Sequence, residues 1–161
     1  MTQTIDSPAG IRPIVTPLDE DAAVWFLGQR SWLRAVASET GGSLGLVEQI
    51  VDAGFSSPYH IHRSEDEVFY VVEGEVSFVS GEILARVGPG GLAFLPRDVP
   101  HGFRVEGELA ARLLLFTTPA GFEGFVGELS EPTPPTAPPD LDRLMQVAAA
   151  HRIEILGPLP H

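Results

Sequence analysis

The chain has 161 residues and a formal net charge of −12, with 17 glycines, 15 prolines, no cysteine and, because all ten cations are arginine, no lysine. This length suits one compact domain, and the glycine and proline load fits many short strands joined by tight turns rather than a helical bundle. Without thiols or lysine amines, disulfides, thiolate nucleophiles, cysteine-based metal sites and Schiff-base chemistry are excluded, and the negative charge argues against nucleic acid or anionic lipid as partners.

The opening stretch MTQTIDSPAG shows no leader pattern, and no apolar run approaches the ~20 residues of a membrane span, so a cytoplasmic protein without a membrane partner is expected. Beyond Pro17, apolar segments recur at short intervals: AVWFLG, SWLRAVA, LGLVEQIV, EVFYVVEG, EVSFV, ILARV, LAFLP, HGFRV and ARLLLFTT. Between them stand ETGGS, SGE, GPGG, PRDVP and EGE, which carry glycine, proline and acidic turn chemistry. The cadence predicts an all-β antiparallel sandwich or barrel.

Two short helices are expected after the strands. In Pro119–Leu129 the residues Phe122, Phe125, Val126 and Leu129 fall at i, i+3, i+4 and i+7, a one-sided apolar stripe. The proline-rich EPTPPTAPPD then reads as a semi-rigid linker. Asp140 can cap a helix LDRLMQVAAAH with Leu141, Leu144, Met145 and Ala148 on its apolar face, followed by the apolar tail IEILGPLP. Residues 1–130 are therefore assigned to a barrel domain with N-terminal strands, and residues 131–161 to a linker with a C-terminal helix and tail that docks on a barrel.

The stretch PYHIHRSEDEVFYVVEG carries the chemistry. Residues two apart on a strand share a face, so His60 and His62 can aim both imidazoles into one space. Glu67 lies five residues beyond His62, and that odd spacing requires a polar corner through RSED before the next strand opens at Glu67. If Glu67 faces inward, so do Phe69 and Val71, while Val68, Tyr70 and Val72 face outward. Both sets are apolar, which predicts a central strand covered on both sides. A carboxylate entering a dry interior is costly unless paired or coordinated, whereas Glu65 and Asp66 are expected in solvent. His101 follows the turn FLPRDVP in a setting like that of His60. Three imidazoles and one carboxylate suit a divalent Fe, Mn, Co, Ni, Cu or Zn ion, and ligand type alone does not choose among them. A surface or hydrogen-bonded core role is the competing reading for any one of these histidines.

These segments resemble the two motifs of the cupin superfamily. Gly54, His60, His62, Glu67 and Gly74 meet the first motif, G-x5-HxH-x4-E-x6-G, at every fixed position. Gly90, Pro96 and His101 meet the second, G-x5-PxG-x2-H-x3-N, but Asp98 stands where the family usually has glycine and Val105 where it often has asparagine. The resemblance implies a small jelly-roll β-barrel with one divalent metal ion held by His60, His62, Glu67 and His101, and the chain looks like bacterial single-domain cupins described as quercetin 2,3-dioxygenase-like.

That likeness implies a dioxygenase acting on a flavonol-like or other enolisable aromatic substrate with O2, Glu67 serving as ligand or base. Phe69 and Phe103, on the predicted inward faces of Glu67 and His101, are the candidate pocket residues. A redox-neutral cyclase, isomerase or lyase and a non-catalytic small-molecule-binding module use the same ligands. A homodimer that covers sheet edges is also implied.

Overall fold

The computed structural model describes residues 10–161, so the polar start 1–9 lies outside the described residues. In chain order the first strands are β1 (Val24–Phe26), β2 (Gln29–Ala35), β3 (Gly45–Val51), β4 (Tyr59–His62) and β5 (Asp66–Glu73). They are followed by β6 (Glu75–Ser80), β7 (Ile83–Val87), β8 (Leu92–Leu95), β9 (Gly102–Glu106), β10 (Ala111–Thr118) and β11 (Ile153–Gly157). The helices are α1 (Ala37–Thr40), α2 (Phe122–Leu129) and α3 (Leu141–Ala150). Each predicted apolar segment contains one strand, and the turn residues between them fall where the ladders stop. Gly74 shows why a glycine is needed at one such turn: its φ is +83°, and a Cβ there would lie 2.7 Å from the Ala111 backbone, too close for any side chain.

All pairings are antiparallel. One sheet has the order β1-β2-β3-β10-β5-β8; a second, β7-β6-β9, is continued by the pair β4-β11 through a bridge between His60 and His101. The inward faces of both layers share one core, built from Val47, Val51, Phe69, Val71, Val76, Phe78, Phe103, Val105, Leu113 and Leu115. This is the expected all-β jelly roll with short C-terminal helices. Among the described residues no helix is long and apolar enough to cross a membrane.

Strand β5 departs from its expected burial. Glu67, Phe69 and Val71 are buried, as the alternation requires, but Tyr70 on the other face is 38% exposed and Val68 and Val72 are only half-buried. The strand has neighbours on both sides, β10 and β8, yet among the described residues no layer covers its outer face. Leu92 and Phe94 of β8 share that face, where Tyr70 pairs with Leu92 and Val68 with Phe94. Apolar residues outside therefore do not report a covering layer here, since β propensity selects the same residue types on an open face.

Both helices form. The Asp140 carboxylate accepts the Arg143 amide at 3.0 Å, capping α3 as expected. The buried stripe of α3 is Leu144, Val147 and Ala148, while Leu141 and Met145 are largely exposed. The expected face is thus rotated, because α3 must satisfy β11 and α2 at once; His151 at its end packs edge-on against Phe125 and hydrogen-bonds Glu128. The tail IEILG forms β11, which pairs Ile153 with His62 and Ile155 with His60.

Candidate metal centre

Backbone geometry brings the histidines together before any side-chain contact is made. The amides of His60 and His101 each donate to the other's carbonyl at 2.9 Å. That reciprocal pair sets the two Cβ atoms side by side. His62 sits one pleat along β4 on the same face as His60. The Pro96–Pro100 turn is pinned to β4, since the Asp98 amide donates to the His62 carbonyl at 2.8 Å. Asp98 itself has φ +65°, the left-handed region that aspartate tolerates better than most residues. Its carboxylate accepts from Arg63 at 3.0 Å, so the departure from glycine leaves the turn closed. Across the barrel, Glu67 enters from β5 in register with Thr117 and Leu95.

One ligand atom from each of His60, His62, Glu67 and His101 lies within 4.8 Å of the others, a set that could hold one metal ion. Each imidazole is held by its Nδ1. That of His60 donates to the Pro58 carbonyl at 2.8 Å, that of His101 to the Val99 carbonyl at 2.9 Å, and that of His62 to the Glu65 carboxylate at 3.0 Å. These partners are acceptors only, so the Nδ1 atoms carry the protons and all three Nε2 lone pairs face one point. His60 Nε2 stands 3.1 Å from His62 Nε2, and His101 Nε2 stands 2.9 Å from Glu67 Oε2. Lone pairs converging at this range beside a buried carboxylate repel unless a cation lies between them. The donor set fits a divalent transition metal.

Electrostatics differ among the four side chains. Burial, then His62, pushes His60 down to about 4, so its ring stays neutral and available as a ligand. Burial pushes Glu67 up, but the pull of His62, His101 and His60 outweighs it and the carboxyl settles at about 2. His62 is shifted upward because Glu67 and Glu65 together override its burial.

Glu65 corrects an expectation. Rather than standing in solvent with Asp66, it is 3% exposed and orients His62. Asp66 is half-buried and forms a two-point pair with Arg97 at 3.0 Å. The corner RSED turns sharply enough to fold its third residue back under the histidine strand, a tertiary outcome that spacing alone does not report.

His60 and Glu67 open into a cavity whose walls are mainly Phe55, Phe69, Phe103, Leu115 and Phe122. At about 60 Å³ it is narrow, well below a typical ligand pocket, so a flat ring is the shape it admits with least displacement of its walls. Phe69 and Phe103 stand 5.1 Å apart by ring centroids and line it together. Of the other aromatics near the motifs, Phe94 is exposed on the outer face. Sequence reasoning missed Phe122, whose ring packs 5.4 Å from that of His62, and the polar wall residues Gln29 and Gln49. The stripe of α2 was visible, but not that it roofs the histidine cluster; parity along β3 does place Gln49 on the face of Val47 and Val51.

Residues 47–117 match the family model described as Cupin domain. Among solved structures, TT1209 from Thermus thermophilus is 31% identical over 56% of this chain and 83% of its own, with a TM-score of 0.51. The polyketide cyclase RemF from Streptomyces resistomycificus is 24% identical over 65% of this chain and 80% of its own, with a TM-score of 0.54, a likeness of fold. No curated protein matches the sequence. Motifs, barrel and histidine–glutamate cluster agree with that family model, and the chain belongs to the cupin superfamily.

Proposed function

We propose that the protein is a metal-dependent cupin enzyme, a dioxygenase acting on a flavonol-like or other enolisable aromatic substrate, with one divalent Fe, Mn, Co, Ni, Cu or Zn ion held by His60, His62, Glu67 and His101. The observation that carries this reading is the convergence of three Nε2 lone pairs and one carboxylate on the wall of an apolar, phenylalanine-lined cavity. Such an ion, when bound, supplies Lewis-acid activation of an enolic oxygen and, if redox-active, electron transfer toward O2.

The chain's own groups do the rest. Glu67 stays ionised in a dry setting, with Oε2 2.9 Å from His101 Nε2 and facing the same point. Its Oε1 makes no hydrogen bond among the described residues and is the atom that takes the enolic proton, a general-base role for a positioned carboxylate. Phe69 and Phe103 flank a planar ring and exclude water, and Phe122 closes the roof beside His62. The Nδ1 bonds to Pro58, Glu65 and Val99 keep the imidazoles from rotating as the substrate docks.

The test is oxygen uptake and carbon monoxide release with a flavonol, by protein of known metal content. Consumption of flavonol and O2 together is expected. Turnover that persists under strict anaerobiosis would replace oxygenation with cyclase, isomerase or lyase chemistry, and binding without any product would leave a non-catalytic module.

A further inference from the structure

The cavity of about 60 Å³ beside His60 and Glu67 has room for about four water molecules or one small ring, so most of a flavonol must rest elsewhere. A second space lies outside it: a groove of about 680 Å³, the size of an ordinary ligand pocket. Residues of the proline-rich segment line it, and Trp25, Leu129 and Arg143 complete its walls. That segment is tied at both ends. The Glu131 amide and carbonyl exchange hydrogen bonds with Trp25 at 2.9 and 2.8 Å, and Asp140 caps α3.

The two spaces share a wall, because Leu27 and Leu144 line both. Leu144 is buried on α3, whereas Leu27 is half-buried at the two-residue turn between β1 and β2. Its φ is +48° and that of Gly28 is +79°. A hairpin turn of this kind asks for such angles at both positions, which asparagine and glycine adopt readily and leucine does not. A strained bulky residue at a turn tip points to a role beyond the turn. Here the Leu27 side chain packs against the core while also lining the groove. The same turn meets the proline-rich segment, since a Cβ on Gly28 would stand 4.0 Å from Pro135 Cγ.

We propose that the groove is the outer half of the substrate site and that Leu27 is a specificity-determining plug between it and the cavity beside the histidines. The enolic ring passes Leu27 to reach His60 and Glu67, and the rest of the molecule stays outside, between Trp25 and the proline-rich segment. Leu27 is the part of the wall able to yield: it sits on a two-residue turn after a three-residue strand, whereas Leu144 is fixed in a helix packed on β11 and α2. The outer portion that fits is flat and oxygen-bearing. Trp25 and the prolines offer faces for a ring, and the exposed Arg143 and Glu131 offer a donor and an acceptor for hydroxyl groups. This rests on the function proposed above for the identity of the enolic ring, but not for the groove or its plug.

Maltol and 3-hydroxyflavone carry the same 3-hydroxy-4-pyranone unit, and only the second has a portion for the groove. The experiment follows the binding of both to the full-length protein of measured metal content, by titration and by stopped flow. Ala137→Trp, which fills the groove, should weaken 3-hydroxyflavone about tenfold, the worth of one ring's contacts, and leave maltol affinity and metal content unchanged. Leu27→Gly removes the plug and suits the turn's backbone, so association and dissociation of 3-hydroxyflavone should both quicken about tenfold; a residue that merely touches the ligand would change dissociation alone. Unchanged 3-hydroxyflavone affinity in Ala137→Trp would overturn the groove. Unchanged rates in Leu27→Gly, or a change in dissociation alone, would overturn the plug. If neither enol binds, the proposed function falls, and naphthalene, followed by its own fluorescence, then decides the plug: faster entry and exit in Leu27→Gly upholds it, and equal rates, or no binding by either protein, overturn it.

Discussion

The barrel interior holds two groups of buried polar side chains, and they are satisfied in different ways. At the histidine cluster every outer nitrogen is tied to a carbonyl or carboxylate, and the inner donors face only one another. At Gln29, Ser31 and Gln49 the polar groups bond to one another and to the Asp52 amide. The first arrangement calls for a cation, because lone pairs and a carboxylate can share nothing else at this range. The second is held by hydrogen bonds within the chain. The two groups are thus expected to fail independently.

Substitutions can break that division. The largest effect is expected from His60→Ala, His62→Ala or His101→Ala: after dialysis, elemental analysis should find metal reduced more than about tenfold, since removing one donor of four opens the site. A variant that keeps a full equivalent would remove that histidine from the ligand set. Glu67→Gln should lower turnover by about 10²–10⁴-fold, the usual worth of a positioned base, with a smaller loss of metal. Parallel losses would mean that Glu67 is a ligand and nothing more.

Glu65→Ala should weaken metal affinity by about 10–100-fold in a chelator competition, the range for losing a carboxylate that orients a ligating histidine. Unchanged affinity would mean that β4 alone holds the His62 ring. Protons compete with a cation for imidazole, so metal affinity should fall as pH falls, His62 with its upward shift taking a proton first and His60 last, near pH 4, and should recover as pH rises; affinity that does not change down to about pH 4 would contradict ligation by these nitrogens. The smallest effect belongs to the glutamines: Gln49→Met should leave metal content within error of the wild type. A loss of metal there would show the two groups to be coupled.

Much of the site was legible because its signals are local. The HxH spacing puts two imidazoles on one face, the odd step to Glu67 demands a corner, and the prolines at 96 and 100 bracket the turn before His101. The missing glycine at Asp98 looked like a departure, yet a left-handed aspartate paired with Arg63 serves the same turn. Glu65 was misplaced because its burial depends on how tightly the corner folds under β4. The apolar outer face of β5 was misjudged because alternation reports which residues share a side, not whether anything covers it.

Residue order by itself determined the all-β class, the positions of the turns, the inward parity of Glu67 and Phe69, and the candidate histidine–glutamate set, since each follows from periods of two and from turn chemistry within a few residues. Only the tertiary structure decided that β11 pairs with the histidine strand, that α2 sets Phe122 against His62, that Glu65 orients His62, and that Gln49 bonds to Ser31 across two strands. Those contacts join residues far apart in the chain, and their partners are chosen by the packing of the whole core rather than by any local pattern.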